Sequence, residues 1–339
     1  MVRPLPNKRH QVVLRVAITL FFCILTFAVD YAFYPYNAPL SGSISGNCGT
    51  NGVWLHNRWY FGENSDAETR QLARDLAERQ IEYPYFHVRY IGKSGKLRYR
   101  LPTQARHLNT LLRKENPHVK RIAWIYVGNT QGMGSITDLS DPEHRRRLVE
   151  EARFLVAECG FDGVQWDYEI CPDNDAGLLS LLDESRAALP KGSPLSVATA
   201  LWSPALPRTL GYGWSEGYFA EVAKRSDQIC VMGYDSGIYL PRAYAWLMEE
   251  QVVRVCRSVV ASGADCRVVI GVPTYKKGGA SHHARAENLS VAIRGVRAGV
   301  DRLSPQERES FAGIAPFADY TTEVAEWQSY CSDWLGIGR

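Results

Sequence analysis

One helix–strand unit carries the clearest pattern in the chain: residues 141–160 read DPEHRRRLVEEARFLVAECG, and residues 161–169 read FDGVQWDYE. The first stretch predicts a helix from Asp141 to Cys159. Ser140 can cap it in a capping box with Glu143, Pro142 fits its first turn, and Gly160 ends it. Its apolar face, at helical spacing, consists of Leu148, Ala152, Leu155, Val156 and Cys159.

The second stretch is typical of a buried strand, Phe161–Glu169, with polar side chains on one face. Because side chains alternate along a strand, Gln165, Asp167 and Glu169 point to the same side. Three polar groups on one face of a central strand are costly in an apolar core. We therefore expect them to line an open end of the sheet.

The same rhythm of strand and helix repeats eight times from Val53 onward. The predicted strands are Val53–Phe61, Tyr85–Ile91, Arg121–Val127, Phe161–Glu169, Leu195–Trp202, Gln228–Asp235, Arg267–Tyr275 and Phe311–Tyr320. The other predicted helices are Ala67–Gln80, Thr103–Lys114, Ala176–Leu189, Gly217–Lys224, Ala243–Ser262, Ala286–Val300 and Glu323–Trp334. Eight such units predict an α/β fold, the closed (β/α)8 TIM barrel, whose chemistry lies at the carboxyl ends of the strands. No GxGxxG follows the first strand, which disfavours a doubly wound dinucleotide-binding sheet.

The N-terminus has the pattern of a targeting segment, because Arg3, Lys8 and Arg9 precede an apolar run, Val16–Val29. Extended to residues 11–34, this run is long enough to cross a bilayer. Residues 1–10 are then a basic cytoplasmic flank, residues 35–52 a linker and residues 53–339 the barrel. We favour an uncleaved transmembrane signal anchor with the barrel outside the cytoplasm; a cleaved signal peptide and a secreted barrel form the alternative.

Charge and cysteine content argue against several classes of function. A net charge of +3 in 339 residues predicts no nucleic-acid partner, and Arg145–Arg147 is interpreted as a solvated helix face. None of the eight cysteines has CxxC spacing, so no zinc site is expected. Buried thiols and disulfides both stay open for Cys159 and Cys171. The pair His282–His283 is expected in an exposed loop rather than in a metal site.

The carboxylates of the fourth predicted strand indicate acid–base chemistry. Asp167 and Glu169 lie about 6.6 Å apart along the strand, so their carboxyl groups can approach each other. Two such groups do not both ionise easily, and one keeps its proton near neutral pH. A protonated carboxyl is what a general acid needs to protonate a glycosidic oxygen. The competing interpretation is a structural ion pair with a nearby arginine.

This strand resembles the D-x-x-D-x-D-x-E signature of family 18 glycoside hydrolases, which include chitinases and endo-β-N-acetylglucosaminidases. Asp162, Asp167 and Glu169 match the signature, and Gln165 stands where the family has its middle aspartate. Residues 232–235, MGYD, look like the family's M-x-Y-D motif on the sixth strand. Residues 270–275, IGVPTY, are similar to its G-x-P-x-Y run.

The resemblance implies a retaining hydrolysis in which the 2-acetamido oxygen of the substrate is the nucleophile, with no metal or cofactor. Glu169 would be the acid and base, and Asp167 would orient the N-acetyl group and stabilise its charge. Tyr234 would hydrogen-bond the acetamido group, and Asp235 would help to hold it. The other candidate substrate-binding residues are Gln165, Met232, Trp202, Tyr275 and Trp327. Gln165 can hydrogen-bond Asp167 but cannot titrate.

Two functions stay open. The first is hydrolysis of a glycan that contains N-acetylhexosamine, such as chitin or peptidoglycan. The second is a non-catalytic, chitinase-like barrel that binds a glycan as a lectin does. Glu169 favours the first, because a lectin has no need for the acid, and Gln165 weakly favours the second.

Overall fold

The structure, a computed structural model, describes residues 8–36, 46–128, 137–209 and 211–337. Eight parallel strands form one sheet in which each strand pairs with the next along the chain. They are β1 Asn51–Leu55, β2 Ile81–Tyr90, β3 Ile122–Gly128, β4 Gly163–Glu169, β5 Leu195–Thr199, β6 Gln228–Val231, β7 Arg267–Pro273 and β8 Phe311–Phe317. β8 returns to β1, where the N–H of Ile314 donates to Asn51 Oδ1 at 3.1 Å. The predicted (β/α)8 barrel is confirmed.

Helices connect the strands and cover the outside of the sheet. They are α1 Lys8–Phe33, α2 Arg58–Phe61, α3 Asp66–Glu78, α4 Pro102–Glu115, α5 Pro142–Ala157, α6 Ala176–Ala188, α7 Ala205–Thr209, α8 Glu216–Ala223, α9 Pro241–Ser262, α10 Leu289–Asp301, α11 Pro305–Ser310 and α12 Val324–Ser329. A turn of π-helix, Tyr330–Leu335, follows the last of them.

Several predicted boundaries differ from the observed ones. β1 starts inside the predicted linker and ends at Leu55, and the rest of the predicted first strand contains helix α2. β5, β6 and β8 end three or four residues early, because their last predicted residues belong to the loops at the mouth of the barrel. Asp141, rather than Ser140, caps α5 by accepting the N–H of Glu143 at 2.9 Å. The middle of the predicted linker, residues 37–45, lies outside the described residues.

Helix α1 matches the predicted apolar segment. Residues Gln11–Phe33 are long and apolar enough to cross a membrane, and none of the most apolar stretch is buried against the barrel. Its apolar side chains are therefore exposed in the isolated protein. All eight cysteines are free thiols, which decides between the two alternatives for Cys159 and Cys171.

Large aromatic side chains fill the inside of the barrel, and glycines on neighbouring strands make room for them. A Cβ on Gly271 would lie 2.8 Å from the carbonyl oxygen of Val231 and 3.0 Å from the Trp54 ring. A Cβ on Gly52 would lie 2.7 Å from the ring of Tyr85. Trp54 and Tyr85 are both buried and pack together with ring centroids 5.3 Å apart. The two glycines thus leave the space that the side chains of Trp54 and Tyr85 occupy inside the barrel.

The close approach at Gly271 gives a stability prediction. We expect Gly271→Ala to lower the free energy of unfolding by about 1–3 kcal/mol, because the added methyl overpacks the space against Trp54 and the β6 backbone. Urea denaturation followed by far-ultraviolet circular dichroism measures the change. Gly279→Ala is the matched control, since no atom lies within 4 Å of its Cβ position. Equal stability of the two variants would contradict the packing argument.

Candidate active site

The ends of β4 and β6 meet at a cavity of about 370 Å³ in the mouth of the barrel. Asp167 and Glu169 reach it from the last residues of β4. Met232, Tyr234 and Asp235 reach it from the segment that directly follows β6. The structure therefore brings the four predicted catalytic residues together with the predicted contact Met232. Their common position follows from the parallel sheet, which collects all carboxyl strand ends at one edge.

Asp167 is buried, and its two carboxyl oxygens differ in their hydrogen bonding. The indole N–H of Trp124 donates to its Oδ2 at 2.7 Å, whereas its Oδ1 is buried without a hydrogen-bond partner among the described residues. Burial, followed by the negative charge of Glu169, raises the pKa of Asp167 well above its ordinary range. The Trp124 contact opposes this rise, but one hydrogen bond does not outweigh the lost hydration of a carboxylate. Asp167 therefore favours its protonated form.

Glu169 lies next to Asp167 but faces a more open space. Burial and then the charge of Asp235 raise its pKa. The hydroxyl of Tyr126 is buried near both β4 carboxyls, and its pKa rises to about 12 through burial and their charges. Because Asp167 and Glu169 also repel each other's charge, the pair keeps at least one proton near neutral pH.

Tyr234 places a neutral hydroxyl beside this pair. Burial, then the charges of Asp167 and Glu169, raise its pKa well above the ordinary value, so it stays a donor. Its ring stacks on Phe317 with centroids 4.7 Å apart and an interplanar angle of 25°. Tyr275 packs edge-on against Tyr234 at 6.1 Å. Tyr275 thus supports Tyr234 from behind and is not among the residues that line the cavity, so its contact with substrate stays a prediction.

Gln165 is not among the residues that line the cavity either, and its side chain hydrogen-bonds Trp54 and Ser196 rather than Asp167. Its Oε1 accepts the indole N–H of Trp54 at 2.9 Å, and its Nε2 donates to Ser196 Oγ at 3.0 Å. Ser196 in turn donates to Gln228 Oε1 at 2.8 Å. Gln165 is fully buried in this chain of neutral groups below the site. It holds Trp54 in place.

The sequence analysis missed the aromatic wall of the cavity. Trp54, His87, Trp124, Tyr126 and Phe317 all line it. The His87 ring stacks on Trp124 with centroids 4.0 Å apart, and burial lowers the pKa of His87 to about 3, so it is neutral. The alternation in β3 was a usable signal, because residues 124 and 126 stand opposite residues 165 and 167 in the sheet.

The two tryptophans among the predicted substrate-binding residues, Trp202 and Trp327, have different positions. Trp202 lines a neighbouring groove that also contains Glu169, and the guanidinium of Arg254 lies 5.1 Å from its ring centroid. Trp327 is in a cleft between the barrel and α3, where Arg79 lies 3.9 Å from its ring centroid. The prediction that Trp327 belongs to the barrel mouth is wrong, because α12 starts seven residues after β8 and lies on the outer wall.

The loop after β7 holds an inward-facing histidine, so the predicted exposure is wrong for His282. Its Nδ1 lies 3.2 Å from Glu287 Oε2, and its Nε2 lies 3.1 Å from the carbonyl oxygen of Tyr275. Glu287 also accepts the N–H and hydroxyl of Ser236, at 3.1 and 2.7 Å. Ligand atoms of Asp235, His282 and Glu287 lie within 4.8 Å of one another. Their hydrogen bonds fix the segment that follows Asp235.

The buried carboxyl gives a prediction about pH and stability. Since the pKa of Asp167 is raised in the folded protein, the folded state holds more protons than the unfolded state once the pH exceeds about 4, and stability falls as pH rises. Asp167→Asn does not titrate and still accepts the Trp124 N–H. We expect this variant to gain stability over the wild type between pH 5 and pH 8, by about 1.4 kcal/mol for each pKa unit that it removes.

Urea denaturation at the two pH values measures this gain. Asp301→Asn, at an exposed position at the end of α10, is the control, and its difference from the wild type should not change with pH. A difference for Asp167→Asn that is also constant with pH would mean that Asp167 is ionised in the folded protein.

Comparison with known proteins agrees with this fold. Among solved structures, the spore cortex-lytic enzyme SleL of Bacillus megaterium superposes with a TM-score of 0.56 at 14% identity, covering 88% of this chain and 78% of its own. A Cycas revoluta family GH18 chitinase bound to allosamidin gives 0.55 at 16% identity, covering 85% and 100%. The group IV chitinase of Ostrinia furnacalis gives 0.54 at 14% identity, covering 84% and 95%.

These identities are low, so the structural matches establish the fold alone. No curated protein sequence matches the chain. The family model described as glycosyl hydrolases family 18, however, matches residues 29–333, which include nearly all of the barrel and every residue of the site. This chain therefore belongs to glycosyl hydrolase family 18.

Proposed function

We propose that this protein is a retaining glycoside hydrolase that cleaves next to an N-acetylhexosamine by substrate-assisted catalysis, with Glu169 as its acid and base. The observation that carries the proposal is Asp167 Oδ1, which has no hydrogen-bond partner in the part of the chain that the structure describes and is buried at the same cavity as Glu169 and Tyr234. A buried acceptor without a donor is costly. The amide N–H of an N-acetyl group is a donor of the right kind for it.

Substrate binding would also decide where the shared proton goes. A hydrogen bond from the acetamido N–H to Asp167 favours the ionised form of that carboxyl. Since Asp167 and Glu169 keep at least one proton between them, ionisation of Asp167 favours a protonated Glu169. Substrate binding thereby favours the protonated form of Glu169, which is the form that acts as the acid.

In the reaction, Glu169 gives its proton to the glycosidic oxygen while the acetamido oxygen attacks the anomeric carbon. The bond to the leaving group breaks, and a cyclic oxazolinium ion forms. The ionised Asp167 stabilises its positive charge, and the neutral hydroxyl of Tyr234 donates to the acetamido oxygen and orients it. Glu169 then takes a proton from water, whose oxygen attacks the anomeric carbon from the leaving-group side, so the configuration is retained.

We further propose that α1 anchors the enzyme in a membrane. The helix has the length and apolar surface for one crossing, and Lys8 and Arg9 lie at its N-terminal end. The positive-inside rule places that end in the cytoplasm and the barrel on the other side. The substrate would then be a glycan within reach of the outer membrane surface.

The catalytic role of Glu169 can be tested with N-acetylglucosamine tetramers and peptidoglycan fragments. We expect Glu169→Gln to lower kcat by at least about 100-fold, because the neutral amide cannot donate the proton, while binding persists. Product chromatography measures cleavage, and calorimetry measures binding. Glu309→Gln, at an exposed position away from the cavity, is the control and should cleave like the wild type.

The alternatives give different results in the same assay. Binding without cleavage by wild type and variant alike would identify a glycan-binding barrel without activity. Cleavage by Glu169→Gln at the wild-type rate would remove Glu169 from the mechanism.

The pH profile tests the electrostatic part of the proposal. A general acid works only while protonated, so kcat/KM falls as the pH rises past the pKa of Glu169. The charge of Asp235 helps to raise that pKa. We therefore expect Asp235→Asn to move the alkaline limb of the profile to lower pH, whatever its effect on the maximum rate. A limb that stays in place, or moves to higher pH, would assign it to another group; Asp301→Asn serves as the control.

A further inference from the structure

A second cavity opens beside the catalytic one and is lined mainly by apolar side chains. It measures about 860 Å³, within the range of pockets that bind organic ligands, about 300–1,000 Å³. Its walls come from the segments that follow β5 and β6 and from the start of α9, and include Leu201, Trp202, Pro204, Pro207, Ile238 and Trp246. Among the described residues that line it, the charged ones are Glu169 and Asp235, which it shares with the catalytic cavity.

The shared acid identifies which part of a substrate this groove can receive. Glu169 protonates the leaving-group oxygen, so it must lie where the N-acetylhexosamine meets the group that leaves. With the acetamido group at Asp167, which lines the catalytic cavity but not the groove, the groove lies on the leaving-group side. The exposed area of these walls is mainly apolar, which suits a hydrocarbon chain better than a sugar whose hydroxyls each need a polar partner.

The rim of the groove exposes large apolar side chains to solvent. Tyr212 is 69% exposed, Trp246 47% and Leu206, on α7 beside the groove, 75%. Tyr239, between the groove residue Ile238 and α9, is 62% exposed. Grouped exposure of this kind marks a surface that meets an apolar partner. Tyrosine and tryptophan are also the residues enriched where proteins meet the interface of a membrane.

The end of α1 contacts the same rim. Asp30 forms an ion pair with Arg242, which lies one helical turn from Trp246 on α9. Arg285 donates to the carbonyl oxygen of Tyr31 at 2.8 Å, and the Tyr36 hydroxyl donates to the carbonyl oxygen of Arg285 at 2.5 Å. These contacts hold the groove beside the point where the helix leaves the membrane.

We infer that the groove binds the hydrocarbon chain of a glycolipid whose N-acetylhexosamine occupies the catalytic cavity. This inference rests on the proposed hydrolysis and anchoring. Proton transfer from Glu169 then releases the lipid as an alcohol. Water adds to the anomeric carbon of the sugar that remains. The bilayer supplies the substrate directly to a groove that opens at its surface.

The inference is tested with the full chain in lipid nanodiscs and a series of N,N′-diacetylchitobiosides that carry methyl, butyl or hexyl aglycones. Calorimetry on the Glu169→Gln variant measures binding alone, and the wild type is assayed for cleavage. We expect Kd to fall by up to about fourfold for each methylene that enters the groove. Trp246→Ser should flatten this dependence, whereas Tyr99→Ser, an exposed aromatic position outside the groove, should keep it.

The two readouts separate the two proposals. Affinity that does not rise with chain length overturns the glycolipid inference, whether or not the glycosides are cleaved. Affinity that rises with chain length, without cleavage by the wild type, supports the groove assignment and overturns the proposed hydrolysis. A chain-length dependence that Trp246→Ser leaves intact would place the hydrocarbon elsewhere and also overturn the inference.

Discussion

The hydrogen bond from the Trp124 indole to buried Asp167 is the contact on which the site depends. Among the described residues, Trp124 is the hydrogen-bond partner of this carboxyl, whose other oxygen is buried without one. Three rings hold the indole in place: His87 stacks on it, and Trp54 and Phe317 pack edge-on against it. The aromatic wall therefore fixes the position of the carboxyl and limits its hydration.

The position below Asp167 is neutral because this chain has Gln165 where the family's signature has an aspartate. An aspartate at residue 165 would place a second titrating group below Asp167. Gln165 instead joins Trp54 to Ser196 through neutral hydrogen bonds. The proton of Asp167 can thus exchange with Glu169, with substrate or with water, but not with a deeper carboxyl. Asp167 and Glu169 form the coupled pair of the site, with the charge of Asp235 acting on Glu169; in the proposed reaction, substrate binding decides which member of the pair is ionised.

The parts of this site that could be predicted are those governed by strand periodicity. Asp167 and Glu169 were assigned to the barrel mouth because residues two apart share a face, and the same rule, applied to β3, would have found Trp124. The rule does not extend beyond the strands. Trp327 follows β8 and is predicted to bind substrate, but the chain turns outward after that strand. The burial of His282 depends on Glu287, five residues further on, and no local pattern in an irregular loop indicates such a contact.

The short segment between the proposed anchor, α1, and the barrel limits how the barrel can move relative to a membrane. Helix α1 ends at Phe33, and Tyr36 already donates to the loop after β7. A spacer of two residues between the helix and its first barrel contact cannot let the barrel rotate freely, because each residue spans at most about 3.6 Å. The contacts of Asp30 and Tyr31 add further restraint. With α1 in a bilayer as proposed, the mouth of the barrel would keep one orientation to the membrane, and a glycan attached to that membrane would meet it more often than a free polymer would.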